Sequence, residues 1–363
     1  MSDSDSVDES KIPSREECEN RCQKFAEITG TDSALAMFYL QDRDWELDRS
    51  VNAYFEETGE NIGSAPLKKK IKIDGLSFSG RSDVNNSSSS TSSVIKTEWK
   101  PDVTNPQPNR IKLMSWNIDG LCEKAKVKRT QTVCDIINKE NPHAVFLQEV
   151  VSETLEVLTT KCPTYHIIEA ANQEYFTAVM LKVGVAEMTE SKVIPFTSSL
   201  MLRTLQKIEC TIKGVRFLLM TSHLESTKDH ATERKQQLKI ALQHMVSANS
   251  DQTVIFGGDL NLRDKELQEL KGLPEGVSDM WQVTGSRKEA EFTWDMTRNT
   301  NLEWAGRFKP RCRFDRIYTR HCKPKSVIVP QYFELVGLEK IPSCGLFPSD
   351  HWGLLAHFDK IEK

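Results

Sequence analysis

Five short stretches of this chain end an apolar run in side chains able to hold a cation or move a proton. "SWNIDG" carries Asn117 and Asp119, "LQEV" carries Glu149, "SHLES" carries His223 and Ser226, "GGDLN" carries Asp259 and Asn261, and "PSDHW" carries Asp350 and His351. A sixth stretch, "RFDRI", adds Asp315. Singly, each has an ordinary reading: a turn for Asn117 or Asp119, a first-turn helix carboxylate for Glu149, a satisfied core imidazole for His223. Together, several hard oxygen donors with few imidazoles and no thiolate suit Mg2+ or Mn2+ better than zinc. An anionic phosphodiester repels its nucleophile, so hydrolysing one asks for a cation, fixed donors and an aligned base. The paired glycines of "VIFGGDLNLRD" are expected to keep side chains away from an approaching phosphate.

Strand ends need strands. Between residues 110 and 363 the candidates are "IKLMSWNI", "HAVFLQEV", "YHIIEA", "FTAVMLKV", "LQKIECTI", "VRFLLMTSHL", "TVIFGGDL", "RFDRIYT", "SVIVPQYFEL" and "WGLLAHF", all short and rich in β-branched or aromatic residues. "TIKGVR" reads as a hairpin turning at Lys213 and Gly214. The strongest helix signal is 231–248, where Leu238, Ala241, Leu242 and Met245 recur at helical spacing. Many strands with helices between them predict two packed sheets flanked by helices.

Upstream, the pattern changes twice. Residues 1–20 read as an acidic flexible tail, and 21–58 as a small three-helix unit with Phe25, Ile28, Leu35, Met37, Phe38 and Leu40 apolar and Leu47, Val51 and Phe55 on one face. Residues 59–108 turn to Ser, Asn, Lys, Asp and Pro, a composition with too little apolar surface to offset the entropy of ordering it, and so predict a linker. The run "LKKKIKI" at 67–73 is a candidate nuclear import signal, and "IKTE" resembles a SUMO acceptor site around Lys96. The remainder, 109–363, is long enough for one large β domain.

With 48 basic against 52 acidic residues, any nucleic-acid surface must be a local patch. Nine cysteines without a CxxC pair argue against a disulfide framework and suit a reducing compartment. No apolar run reaches membrane-spanning length and the acidic start has no signal-peptide core, so the expectation is a nuclear protein with a cytoplasmic pool.

In order and wording, the motifs "SWNIDGL", "LQEV", "SHLEST", "GGDLNLRD", "RFDRIY" and "SDHWGLL" resemble the exonuclease-endonuclease-phosphatase superfamily over residues 110–363. That resemblance implies a four-layer α/β sandwich of the deoxyribonuclease-I kind, and the amino-terminal unit is similar to a ubiquitin-associated domain. By resemblance, Glu149 holds Mg2+ with Asp119 beside it directly or through water, and Asp350 supports the metal's water shell. Asp259, positioned by Asn261, activates the attacking water. His351, aligned by Asp315, donates to the phosphoryl oxygen, while Asn117, His223 and Ser226 hold the other phosphate oxygens. The implied activity is hydrolysis of the bond between a tyrosine and a DNA 5′-phosphate, of the kind left by topoisomerase II, with RNA-linked tyrosine a further substrate class and ubiquitin an amino-terminal partner.

A phenol leaves far more readily than an aliphatic alcohol, which suits a site with one metal. Tyr175, Trp294, Phe314, Lys228 and Arg263 are candidate contacts for a single-stranded 5′ end, and "RFKPRCRFDRIYTR" (307–320) interleaves basic and aromatic residues as a nucleic-acid patch would. Position 228 is lysine where the family often has arginine, so a bidentate phosphate contact there is not implied. Rival readings are another superfamily phosphodiesterase, such as an abasic endonuclease or deadenylase, and a ubiquitin-binding signalling adaptor.

Overall fold

Among the described residues, twelve strands with helices between some of them, and two more in a small ribbon, carry the site. A computed structural model describes residues 15–29, 31, 36, 39–40, 43, 45–58, 108–170, 174–302 and 309–361. The lysine run 67–73 and Lys96 lie outside the described residues, as do Leu35, Met37, Phe38, Arg307 and Phe308. The chain divides into two compact units, with the boundary between Asp102 and Val103.

In the first unit, helix α1 (Arg15–Thr29) starts inside the stretch whose composition suggests a flexible tail. Cys18, Cys22 and Phe25 fall at i, i+4 and i+7, and this buried stripe holds the early turn in place. Helix α2 (Leu47–Thr58) buries Ser50, Val51 and Tyr54, with Leu47 half-buried; the side chain of Phe55, the third residue of the expected face, lies outside the described residues. Three rings close the unit: Phe25 stacks on Tyr39 at 5.5 Å and meets Tyr54 edge-on at 5.7 Å.

The second unit is built on two six-stranded sheets. One has the order β13-β14-β1-β2-β4-β3, with β1 (Arg110–Asn117), β2 (Ala144–Val150), β3 (Tyr165–Glu169), β4 (Phe176–Lys182), β13 (Ile328–Val336) and β14 (Gly353–Lys360). The other has the order β5-β6-β7-β8-β12-β9, with β5 (Ala186–Pro195), β6 (Thr204–Ile212), β7 (Val215–Thr221), β8 (Thr253–Asp259), β9 (Val277–Asp279) and β12 (Asp315–Arg320). Each sheet has one parallel pair at its centre, β1 with β2 and β7 with β8. Lys213 and Gly214 turn the β6–β7 hairpin with φ of 50° and 74°, as the Lys-Gly pair predicts.

Between the sheets lies an apolar layer including Leu113, Phe146, Val179, Leu219, Ile255, Ile317 and Leu354. Helices Lys126–Glu140 (α3) and Ser152–Lys161 (α4) cover the outer face of the first sheet through Val133, Ile137 and Leu158. Helix Ala231–Ser247 (α5) covers the second through Leu238, Ala241, Leu242 and Met245. The result is the expected four-layer α/β sandwich. The edge strand β5 escapes the sequence pattern because nearly all its side chains face water, leaving no apolar alternation to read.

Candidate active site

The polar strand ends converge at one mouth of the sandwich. β1 delivers Asn117, and its side-chain amide donates to Glu149 Oε1 and to Asp259 Oδ2, both at 3.0 Å, so one residue bridges the two sheets. A bulge in the β2–β4 pairing between Leu147 and Val150 turns Glu149 out of register with φ of 56°. Asp119 and Asn261 also have positive φ, 51° and 48°. Three predicted site residues thus hold a backbone conformation that ordinary residues avoid, a strain that persists only where surroundings over-determine it.

Glycines explain how these ends approach. A Cβ on Gly120 would sit 2.1 Å from the Glu149 carbonyl, and one on Gly258 would sit 2.1 Å from the Ser222 carbonyl. A Cβ on Gly257 would meet the Arg316 carbonyl at 2.9 Å. The pair Gly257–Gly258 therefore makes room for neighbouring backbone, not for a phosphate, and this corrects the expectation drawn from sequence.

Asp259 lies directly opposite Asp315 in the β8–β12 register. His351 Nδ1 is 2.8 Å from Asp315 Oδ2, and Thr293 donates to the same oxygen at 2.5 Å. His351 Nε2 lies 3.7 Å from Asp259 Oδ2, and His223 Nε2 lies 3.3 Å from the same oxygen. Asn261 positions Asp259 through its backbone N–H, 3.0 Å from Oδ1, while its side chain donates to the Leu224 carbonyl.

Similar groups acquire opposite electrostatic characters here. Burial and the nearby Asp350 charge push Glu149 up to about 7, and the same two causes push Asp119 up to about 7. Burial alone would raise Asp259 too, but His351, His223 and the Asn117 amide outweigh it and hold that carboxyl below its ordinary range. Burial would lower His351, but Asp315, Asp259 and Asp350 outweigh it and hold the imidazole well above its usual value. Burial and the Arg203 charge push His223 down to about 3. The site therefore pairs a protonated histidine with a neutral one across an ionised aspartate.

Two groupings offer oxygen or imidazole ligands to a divalent cation. Asp259, Asp315 and His351 offer ligand atoms within 4.8 Å of one another. Those atoms, however, are already engaged by each other and by Asn117, as a hydrogen-bonded relay is. Among the described residues, Glu149, raised by burial and by Asp350, has no arginine or lysine beside it, and an oxygen-only donor set there fits a hard cation. Arg129 lies 3.1 Å from Asp119 Oδ2, so Glu149 is the better direct ligand and Asp119 suits a water-mediated place.

Around this centre the aromatic candidates separate. Trp294 and Phe314 have centroids 5.7 Å apart beside His351, with Arg263 over the Phe314 ring at 5.6 Å and the Trp294 indole donating to Asp350 at 3.3 Å. Tyr175 lies elsewhere, lining a recess with Arg203, Leu202 and His223, and the Arg203 guanidinium stands over its ring at 5.3 Å. Ser226 donates to Met201 Sδ at 3.2 Å, and Lys228 lies at the entry to α5, where its carbonyl accepts the Ala231 N–H.

The described part of the basic and aromatic run, 309–320, is mostly structural, which corrects its reading as a nucleic-acid patch. Arg313 is buried on Asp279 at 2.7 Å, Arg316 is buried on Asp264 at 2.8 Å, Arg320 caps carbonyls after α5, and Tyr318 packs in the core on Phe256.

Arg203, Thr293 and Ser349 are the site residues that sequence reasoning missed. Ser349 donates to the Asn117 carbonyl at 2.6 Å and accepts the His351 N–H at 3.1 Å. Thr293 and Ser349 stand beside Trp294 and Asp350 in sequence, which was the available signal; Arg203 had none.

Comparison with known proteins agrees with this geometry. A family model described as the endonuclease/exonuclease/phosphatase family matches residues 114–351, and one for a UBA-like domain matches 19–61. The tyrosyl-DNA phosphodiesterase 2 of Xenopus laevis is 39% identical over 356 residues, 94% of this chain and 93% of the relative. That of Homo sapiens is 37% identical over 340 residues, 94% and 92% of the two chains. The chain belongs to the tyrosyl-DNA phosphodiesterase 2 family.

As a member of that family it is a hydrolase of the phosphodiesterase class. A Danio rerio tyrosyl-DNA phosphodiesterase 2 solved with single-stranded DNA product superposes with a TM-score of 0.67 at 37% identity, covering 69% of this chain and 99% of that one. The Caenorhabditis elegans member superposes with a TM-score of 0.63 at 30% identity over 99% of this chain and 98% of that one.

Proposed function

We propose that this enzyme is a Mg2+-dependent 5′-tyrosyl-DNA phosphodiesterase that restores a 5′-phosphate at ends blocked by a topoisomerase II tyrosine, in the repair of double-strand breaks. The observation that carries the reading is the single Asn117 amide joining a carboxyl pushed up to about 7, Glu149, to one held low, Asp259. Two carboxyls with separated proton affinities mark a division of labour, one suited to a cation and the other to a water.

Glu149 would hold the cation, with Asp119 and Asp350 contributing through bound water. Bound there, Mg2+, or Mn2+ in its place, neutralises phosphate charge and polarises the phosphoryl oxygen. Asp259, fixed by Asn117 and by the Asn261 N–H, orients the attacking water and takes its proton. His351, kept protonated by Asp315, donates to the phosphoryl oxygen as charge grows there. The bond from phosphorus to the tyrosine oxygen breaks, and the phenolate leaves past the mouth of the recess, where Arg203 supplies positive charge.

Trp294 and Phe314 at the opposite, His351 end stack the terminal bases, with Arg263 adding a cation. RNA-linked tyrosine fits the same phosphate chemistry. The UBA-like unit binds ubiquitin, and the protein works in the nucleus with a cytoplasmic pool.

One oligonucleotide presented with a 5′-phosphotyrosine, a 3′-phosphotyrosine or an internal abasic site tests this, with Mg2+ and with EDTA. The 5′ tyrosyl end is expected to be released fastest and only with the metal. Equal incision at the abasic site would favour the endonuclease reading.

A further inference from the structure

Among the described residues, the two most exposed large apolar side chains are Leu200 and Leu202, at 78% and 67%. They stand together on the turn between β5 and β6, and Leu202 lines the recess that also holds Tyr175, Arg203 and His223. Chance exposure would suit a loose loop, yet this turn is built. The fully buried Glu225 accepts hydrogen bonds from Ser199 Oγ at 2.8 Å, Leu200 N at 2.9 Å, Met201 N at 3.0 Å and Gln237 Nε2 at 2.9 Å. Ser199 Oγ in turn accepts the Arg203 N–H at 2.8 Å.

Burial would raise the Glu225 carboxyl, but these donors outweigh it and hold it below its ordinary range, so the anchor stays ionised. Leu202 itself has φ of 55°, a conformation that leucine adopts only when held there. A buried charge and a strained backbone together fix two leucines in water, which marks a contact surface.

We propose that the Leu200–Leu202 turn docks apolar side chains of the peptide still attached to the tyrosine leaving group. The inference rests on the tyrosyl reading given above and adds a substrate preference to it. Its occupant follows from continuity. Asp259 Oδ2 lies 3.7 Å from His351, which neighbours Phe314 of the aromatic pair, and 3.3 Å from His223, which lines the recess. If bases occupy the aromatic pair, whatever is joined to the tyrosine emerges over the recess rim, where Leu202 and then Leu200 are the first surface it meets. The turn thus reads the protein side of the adduct, while Trp294 and Phe314 read the nucleic-acid side.

The test uses the full chain with Mg2+ and one oligonucleotide carrying three different 5′ groups: a nitrophenyl ester, a tyrosyl peptide flanked by leucines, and the same peptide flanked by serines. Each kcat/KM is divided by the same variant's value on the nitrophenyl ester, so a general loss of folded enzyme cancels. The parent enzyme is expected to favour the leucine-flanked peptide over the serine-flanked one by about tenfold, chiefly in KM. Leu200→Ser should reduce that preference about fivefold, and Leu200→Ser with Leu202→Ser should abolish it.

Equal rates on the two peptides in the parent enzyme, or a preference unchanged in the double variant, would overturn the proposal while leaving tyrosyl hydrolysis intact. Failure to release either tyrosyl peptide, with the nitrophenyl ester still cleaved, would overturn both readings. Self-association that Leu200→Ser abolishes in sedimentation velocity, without any change in peptide preference, would instead assign the leucines to contact between two copies and overturn the proposal.

Discussion

The two sheets of the sandwich meet the site with the same architecture and opposite electrostatics. Each ends a central parallel pair there, β1 with β2 in one sheet and β7 with β8 in the other. The first contributes Asn117 and Glu149; the second contributes Asp259, with His223 just beyond β7. Burial and the Asp350 charge drive Glu149 up to about 7, whereas Asp259 has two imidazoles near it and is held down. The residue type is nearly constant, so the difference lies in the neighbours that the opposing strands bring. One end is built to be completed by a cation, the other to remove a proton.

The largest effect should come from breaking the low-affinity end. Asp259→Asn is expected to lower turnover about a thousandfold on a 5′-tyrosyl oligonucleotide, with no recovery on raising Mg2+, because no base remains to take the proton. Glu149→Gln should lose at least about a hundredfold but recover in part as Mg2+ is raised. Steady-state rates over a Mg2+ titration separate the two, and an identical metal response would erase the proposed distinction between the sheets.

The joint between them comes next. Asn117→Asp replaces a donor shared by two carboxylates with a third negative charge, and about a hundredfold loss of kcat is expected with little change in KM. Near-normal turnover would show that the shared amide does not hold the halves apart.

A smaller effect should follow at the nucleic-acid end. Trp294→Ala is expected to lower kcat/KM on an oligonucleotide about tenfold while changing a mononucleotide nitrophenyl ester less than about twofold, since a single nucleotide offers little to stack. Equal losses on both substrates would place Trp294 in the chemistry, through Asp350, and not in binding.

The smallest effect belongs to the histidines that the first sheet keeps away from the chemistry. Burial and nearby lysines push His143 down to about 4, and burial with Lys112 and Arg110 pushes His357 down to about 3. Both are neutral in the folded state and protonate near 6.5 when unfolded. Their contribution to stability is present above pH about 6.5 and is lost as pH falls toward about 4 and then about 3. Thermal melts of His143→Gln and the wild type should differ by a pH-independent amount from pH 8 to 6.5, and from about 6.5 down toward about 4 the variant should lose less stability than the wild type, by a few degrees. An unchanged slope in that variant would remove His143 from the account.

Much of the site was legible because strand-end chemistry is local. Asn117, Glu149, His223, Asp259 and His351 each follow an apolar run, and runs of that kind end where a sheet ends. What stayed hidden was any property set by a distant partner. The arginines at 313, 316 and 320 look like a nucleic-acid patch in one dimension, but Asp279, Asp264 and the carbonyls after α5 engage them. Tyr175 reads as one more stacking ring, yet Arg203 reaches it from the turn before β6 and the two line a recess with His223. β5 was invisible because a strand exposed along almost its whole length has no apolar period to betray it.

The sequence by itself therefore determined the inventory: two units, two sheets with flanking helices, and a set of oxygen and imidazole groups suited to phosphodiester chemistry. Local patterns specify these because periodicity and turn chemistry act over a few residues. Only the tertiary structure decided what each group does. It placed the Asn117 amide between Glu149 and Asp259, turned His351 onto Asp315, and fixed which carboxyl is raised and which is lowered. A carboxyl's proton affinity depends on burial and on charges a few ångströms away, and those neighbours come from strands far apart along the chain.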